Sequence, residues 1–166
     1  EPAQVPESEI KKANARTFGA SGFGLFLGLN KPPEELGIKD HCYLIYDTAN
    51  TVKLIKSLNH IETNRAQATV CLNMADPDCS PPGTSILYFT SLFMNDAWGR
   101  ITEKDYFKTK QAFAKRLIED FENATGIRIQ ENIEEIEIST PMTYARYTDT
   151  PQGVIYGYYA SPWDGI

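Results

Sequence analysis

Three cysteines, Cys42, Cys71 and Cys79, and two histidines, His41 and His60, are the residues most able to do chemistry in this 166-residue chain. A zinc centre needs three or four thiolates or imidazoles converging at short spacings, and no C-x-x-C pair is present. Cys42 and Cys71 lie inside apolar runs, where a free thiol acts as a small buried hydrophobe. The odd count points to a reducing, cytoplasmic setting. Nucleophilic chemistry finds no footing either. There is no G-x-S-x-G elbow, no phosphate-binding Walker loop, and no serine or cysteine that pairs with a base. His41 and His60 are therefore read as surface or satisfied core residues. Gly22-Phe23-Gly24 could open a dinucleotide-binding turn, but the third glycine belongs at position 27, which is Leu27. Close packing of a strand is the better account of those glycines.

Charge narrows the partners. Acidic residues outnumber basic ones by 22 to 16, for a net charge of -6. The densest basic stretch, Lys108, Lys110, Lys115 and Arg116, is interleaved with Glu103, Asp105, Glu119 and Asp120. That is a solvated helix face, and nucleic acid is not an expected partner. No run reaches the roughly 18 apolar residues of a membrane span, and Glu1–Glu7 does not read as a secretory leader.

The elements that must position any site can be read from periodicity. Ser8–Arg16 predicts a short helix, and Phe18–Leu29 a strand buried on at least one face. Pro33 opens a helical turn that Gly37 stops. A strand follows over 41–46, then a short helix over 51–58. Val70–Met74 and Ser85–Phe89 read as two antiparallel strands, because proline-rich Ala75–Thr84 between them cannot supply a ladder. Thr102 is placed to cap a long helix over 102–125, with Asp105 answering back. Its apolar stripe is Tyr106, Phe113, Leu117, Phe121 and Ala124, widened by Phe107, Ala114 and Ile118, and Gly126 ends it. A strand over 127–138, a helix opened by Thr140-Pro141, and a glycine-interrupted strand over 153–159 complete the chain. The fold class is α+β: a mostly antiparallel sheet of about five strands with the long helix 102–125 and shorter helices packed on it.

Three strings then carry a resemblance. "FGLFLGLNKPPEELGI" (23–38), "ADPDCSPPGTSIL" (75–87) and "ISTPMTYARYTDTPQGVIYG" (138–157) follow one another in that order. Together they resemble the later middle part of phytoene desaturase-like FAD-dependent oxidoreductases, the group of carotenoid desaturases, carotenoid isomerases and retinol saturases. That family has a strand ending in Leu-Gly-Leu, a D-P-x-x-(A/S)-P-x-G loop, and a T-P-x-T-x-x-R-Y-T motif ahead of G-x-I-Y-G. The resemblance spans about Phe23 to Gly157.

The resemblance implies a division of labour. FAD exchanges a hydride equivalent with a hydrophobic isoprenoid or polyene substrate, and the substrate region supplies a tunnel and an orientation. The family's glycine-rich Rossmann segment and second flavin segment have no counterpart here. Residues 1–166 are thus expected to be one substrate-binding domain of a longer flavoprotein. Its partners would be the FAD-binding part of the parent and the hydrophobic substrate. FAD belongs to the parent, with none bound by this region and no metal. Peripheral membrane contact is compatible with a lipophilic substrate, although no basic amphipathic helix announces it. Carried over by position, the substrate-binding candidates are Phe26, Phe89 (with Tyr88 beside it), Tyr144, Arg146, Tyr147, Tyr156 and Tyr158. No catalytic residue is assigned, and the Asp76–Gly83 loop is expected to set strand geometry. The alternative is a free-standing module that binds a hydrophobic ligand or a protein.

Overall fold

Alternation in one strand decides the layers. In β4 (Ser85–Phe93) every second residue, from Ser85 through Leu87, Phe89 and Ser91 to Phe93, is buried, and the residues between are half-buried. The computed structural model describes residues 5–160. Glu1–Gln4 and Ser161–Ile166 lie outside the described residues. β4 sits at the centre of a five-stranded sheet, order β2-β3-β4-β1-β5. The others are β1 (Ser21–Leu29), β2 (Cys42–Ile45), β3 (Gln67–Cys71) and β5 (Ile133–Ser139). Every neighbouring pair is antiparallel. The helices are α1 (Glu7–Asn14), α2 (Pro33–Leu36), α3 (Thr51–Ser57), α4 (Glu103–Thr125) and α5 (Pro141–Thr148). The expected α+β class and antiparallel sheet are those observed.

One face of the sheet is closed by α4. Its Phe113, Ala114, Leu117, Ile118 and Phe121 are buried against Phe23, Leu25, Leu27, Phe89 and Phe93. Phe113 meets Phe23 edge-on at 4.7 Å, and Phe121 meets Phe89 at 5.6 Å. Burying each such ring stabilises by roughly 1.5–3 kcal/mol, which far exceeds the helix's own propensity. Thr102 does occupy the N-cap position, but its hydroxyl donates to the Asp105 carboxylate at 2.7 Å rather than accepting an amide. The charged oxygen is the stronger partner. Phe107 and Ala124, expected on the stripe of this 23-residue helix, are exposed: Phe107 lines an opening with Met142 and Tyr147, and Ala124 one with Ile45 and Tyr46.

Three expected strands differ, and that over Val70–Met74 is realised as β3 three residues earlier. Ile127 and Ile129 precede β5 without joining it. The Glu122 carboxylate takes the amides of Ile129 and Gln130 at 2.7 and 3.0 Å, so those amides cannot enter a ladder. Segment 153–159 forms only isolated bridges, Ser21 to Val154 and Phe18 to Tyr158. Left-handed Gly153 and Gly157 interrupt its extended run. The edge position of β2 also leaves Cys42 exposed, whereas burial pushes the Cys71 thiol up and makes it the inert hydrophobe expected.

The proline-rich loop between β3 and β4 is tied at its base by Asn73, in a turn of 3₁₀ helix where a strand was expected. Asn73 donates to the Ser80 hydroxyl at 2.7 Å and accepts the Ile86 amide at 2.7 Å. Asn73→Ala is expected to cost about 2 kcal/mol in denaturant unfolding, since it orphans the amide that starts β4. Asp78→Ala at the exposed loop tip should stay within about 0.5 kcal/mol.

Candidate functional site

Residues directly opposite in antiparallel strands share a face. Val70, Tyr88, Phe26 and Glu137 therefore form one row across the sheet, and Ala68, Thr90, Gly24 and Ser139 the next. Both rows lie on the face turned away from α4. This face is apolar as well, with Ile86, Tyr88, Thr90 and Leu92 of β4 half-buried along it. A strand apolar on both sides needs cover on both sides.

Part of that cover comes from α5 and the segment after it. Thr140 caps α5 ahead of Pro141, as the sequence predicts, and Thr143 answers back to complete a capping box. The Tyr106 hydroxyl of α4 lies 2.5 Å from the Thr140 hydroxyl, which fixes where α5 starts. α5 then lays Tyr144 over β1. A Cβ placed on Gly24 would stand 2.9 Å from the Tyr144 hydroxyl, 3.1 Å from the Phe26 ring and 3.3 Å from the Tyr88 ring. Gly24 is thus the floor on which three aromatic side chains converge. Phe26 and Tyr88 stack at 4.5 Å with their planes 14° apart, and Phe26 remains 38% exposed. Burial, and next the Tyr88 side chain beside it, push the Tyr144 phenol above its ordinary value. It stays an O–H donor throughout the physiological range.

Beside this cluster, one strand spacing towards β3, lies a cavity of about 290 Å³. Its floor includes Ala68, Thr90 and Leu92, its wall is Leu54 and Leu58, and Tyr46 and Tyr156 also line it. Gln67 borders it too, but its amide nitrogen turns to the Leu117 carbonyl at 3.1 Å on the α4 side. A second cavity, about 460 Å³, lies between the start of α4 and α5 and is lined in part by Trp98, Phe107, Arg146 and Tyr147. The Trp98 indole N–H is buried without a partner among the described residues.

The candidates thus fall into separate places. Phe26 and Tyr144 meet on the open sheet face, and Tyr156 reaches the smaller cavity beside them. Arg146 and Tyr147 line the larger cavity and pair with each other, the guanidinium 5.7 Å from the ring centre. Tyr158 stacks on Phe18 at 5.7 Å near the start of β1. Phe89 is 0% exposed and faces α4, so it is a core residue. Its neighbour Tyr88 takes the open face instead. Leu54, Leu58, Ala68, Thr90 and Leu92 were not singled out from sequence. The two-sided apolar character of β4 was the available signal.

No group of three or more metal-ligating side chains comes together among the described residues, and no helix among them is long and apolar enough to cross a membrane. His41 and His60 are both exposed. Gly22 and Gly24 lie mid-strand, with β4 on one side and, at Gly24, β5 on the other. A pyrophosphate needs free amides at a strand-to-helix turn. Gly22 and Gly24 therefore do not form such a turn.

No protein-family model matches the chain. Among curated proteins, it is 32% identical over 164 aligned residues to all-trans-retinol 13,14-reductase of Danio rerio. That match takes in 89% of this chain and 26% of the relative, so the chain spans about a quarter of the relative's length.

Proposed function

We propose that this chain is the substrate-binding part of an FAD-dependent oxidoreductase acting on a retinoid or similar isoprenoid polyene. The observation that carries the reading is the 32% identity to a retinol reductase across 89% of the chain. The apolar sheet face opposite α4 supports it, since a polyene offers few polar handles and is recognised by apolar and aromatic surface.

The flavin, held by the rest of the parent protein, would supply hydride chemistry. This chain's residues bind and orient. Phe26, Tyr88 and Tyr144 present ring faces and edges to a flat conjugated chain. Packing of α5 and segment 151–156 over the Gly22 end of the face limits water there and strengthens each polar contact made.

The test is made on the full-length parent protein. It should carry flavin after purification and, when reduced, should convert all-trans-retinol to a dihydro product seen by chromatography and mass. Residues 1–166 expressed alone should retain no stoichiometric flavin. A flavin-loaded parent that leaves retinol and other isoprenoid polyenes untouched, or tight flavin binding by residues 1–166 alone, overturns the reading.

A further inference from the structure

We infer that the cavity beneath α3 receives the ring end of a retinoid, and that the Tyr144–Tyr88 pair receives its hydroxyl end, so that Ala68 and Tyr144 set specificity. The inference rests on the functional reading above and assigns it an orientation.

Three observations carry it. The first is size. Whole small ligands occupy sites of roughly 300–1,000 Å³, and this cavity is about 290 Å³. It holds one bulky end of a C20 molecule and leaves the rest on the sheet. The second is polarity. Leu54, Leu58, Ala66, Ala68 and Leu92 make the lining mainly aliphatic beside Tyr46, Gln67, Thr90 and Tyr156, so an alcohol finds less to replace its hydration there than a ring finds apolar surface to pack on. A hydrocarbon ring loses nothing. The third is alignment. Ala68, Thr90 and Gly24 are opposite one another on successive strands, so Ala68, at the far side of the cavity floor, and Gly24 lie two strand spacings apart, about 10 Å, with Thr90 between them. An extended polyenyl chain bridges that span. At its far end the Tyr144 hydroxyl stands 2.9 Å from the point where a Gly24 Cβ would be, with the Tyr88 ring beside it.

Each end has its own determinant. Ala68 is the smallest side chain on the cavity floor, and every added carbon there subtracts from the space for a ring. Tyr144 offers the hydroxyl nearest the sheet at the other end. The larger cavity between α4 and α5 is a poorer match, because its lining includes Glu103 and Arg146, charges that a ring would desolvate.

The experiment measures binding to the full-length parent with three probes: all-trans-retinol, its hydrocarbon analogue lacking the hydroxyl, and geranylgeraniol, an acyclic alcohol of similar length. Ala68→Leu should weaken retinol about tenfold, in line with an overpacked site, and geranylgeraniol by less than about threefold, because its slimmer end still fits. Tyr144→Phe should weaken retinol about fivefold and leave the hydrocarbon unchanged, as expected for loss of one hydrogen bond. Leu54→Ala approaches the cavity from α3 and leaves the sheet intact. It should weaken retinol about fivefold and geranylgeraniol less, which keeps the inference testable if Ala68→Leu fails to fold. Retinol affinity indifferent to Ala68→Leu and Leu54→Ala, or a Tyr144→Phe loss equal for alcohol and hydrocarbon, overturns the orientation alone. A wild-type parent that binds no retinol overturns the functional reading and this inference together.

Discussion

Glu122→Ala is expected to lower the unfolding free energy by about 3–5 kcal/mol, since two backbone amides lose a charged acceptor at about 1.5–3 kcal/mol each. Glu122 is 5% exposed. Its carboxylate accepts four hydrogen bonds, from the amides of Ile129 and Gln130 at 2.7 and 3.0 Å, the Gln130 side chain at 3.0 Å and Arg128 at 3.2 Å. Alanine leaves two backbone donors unanswered, one on a residue with no exposed surface. The loop they belong to delivers Ile129 to the core and β5 to the sheet edge. Thermal unfolding should fall by well over 5 °C, since about 1 kcal/mol shifts a domain of this size by roughly 2–4 °C or more. Glu122→Gln keeps an acceptor for the two amides and should lose about half as much.

The same carboxylate sets a pH dependence. Burial alone would raise its pKa, but the hydrogen bonds from Gln130, Ile129 and Arg128 together outweigh burial and hold it below the usual carboxylate value. A group whose folded pKa is depressed contributes stability above its unfolded pKa, ordinarily about 4.3, and loses it as pH falls through the folded value. The gap between wild type and Glu122→Gln should therefore be full at pH 7, begin to shrink near pH 4 and continue to close below it. Denaturant melts at several pH values read this directly, and a gap that widens on acidification would contradict the assignment.

Much of this architecture is legible in residue order, and the exceptions have physical causes. Small and large residues in alternation mark β1, β-formers either side of the proline-rich loop mark β4 and only the last two residues of β3, Thr140-Pro141 marks α5, and Gly126 marks the end of α4. These signals are local, and local geometry answers them. Ile127 and Ile129 also alternate, yet the carboxylate that captures their loop comes from Glu122, inside a helix whose sequence shows no sign of reaching beyond its own C-terminus. The site is harder still. Tyr88 and Phe89 are adjacent and equally aromatic, and only the side chosen by α4 makes one of them core and the other surface. α4 follows β4 closely but is remote in sequence from β1, and nothing within either strand tells which face the helix will cover and which stays open. Close packing at Gly22 and Gly24 is legible from the failed dinucleotide spacing, but which side chain descends on them is not, because Tyr144 belongs to a helix more than a hundred residues later.

Gly153→Ala should be the most damaging small substitution on the open face. Gly153 has φ +67, which favours glycine, and a Cβ there would lie 1.9 Å from the Pro141 carbonyl oxygen and 2.6 Å from its carbon. Backbone in the first turn of α5 cannot rotate away as a side chain can. Left-handed strain contributes about 1–2 kcal/mol and forced separation of two packed segments about 1–3 more, for a total of about 2–5 kcal/mol. Gly126→Ala isolates the first part: it has φ +76 with nothing within 4 Å, and should cost about 1 kcal/mol. Relief at Gly153 requires α5 or segment 151–156 to lift, and either movement carries Tyr144 or Tyr156 with it. Retinol binding by the full-length parent should therefore fall by at least tenfold even at temperatures where the variant stays folded, while Gly126→Ala leaves it unchanged. Equal stabilities for the two variants would mean that the Gly153 contact yields freely, and that Tyr144 is held in place by something other than the turn beneath it.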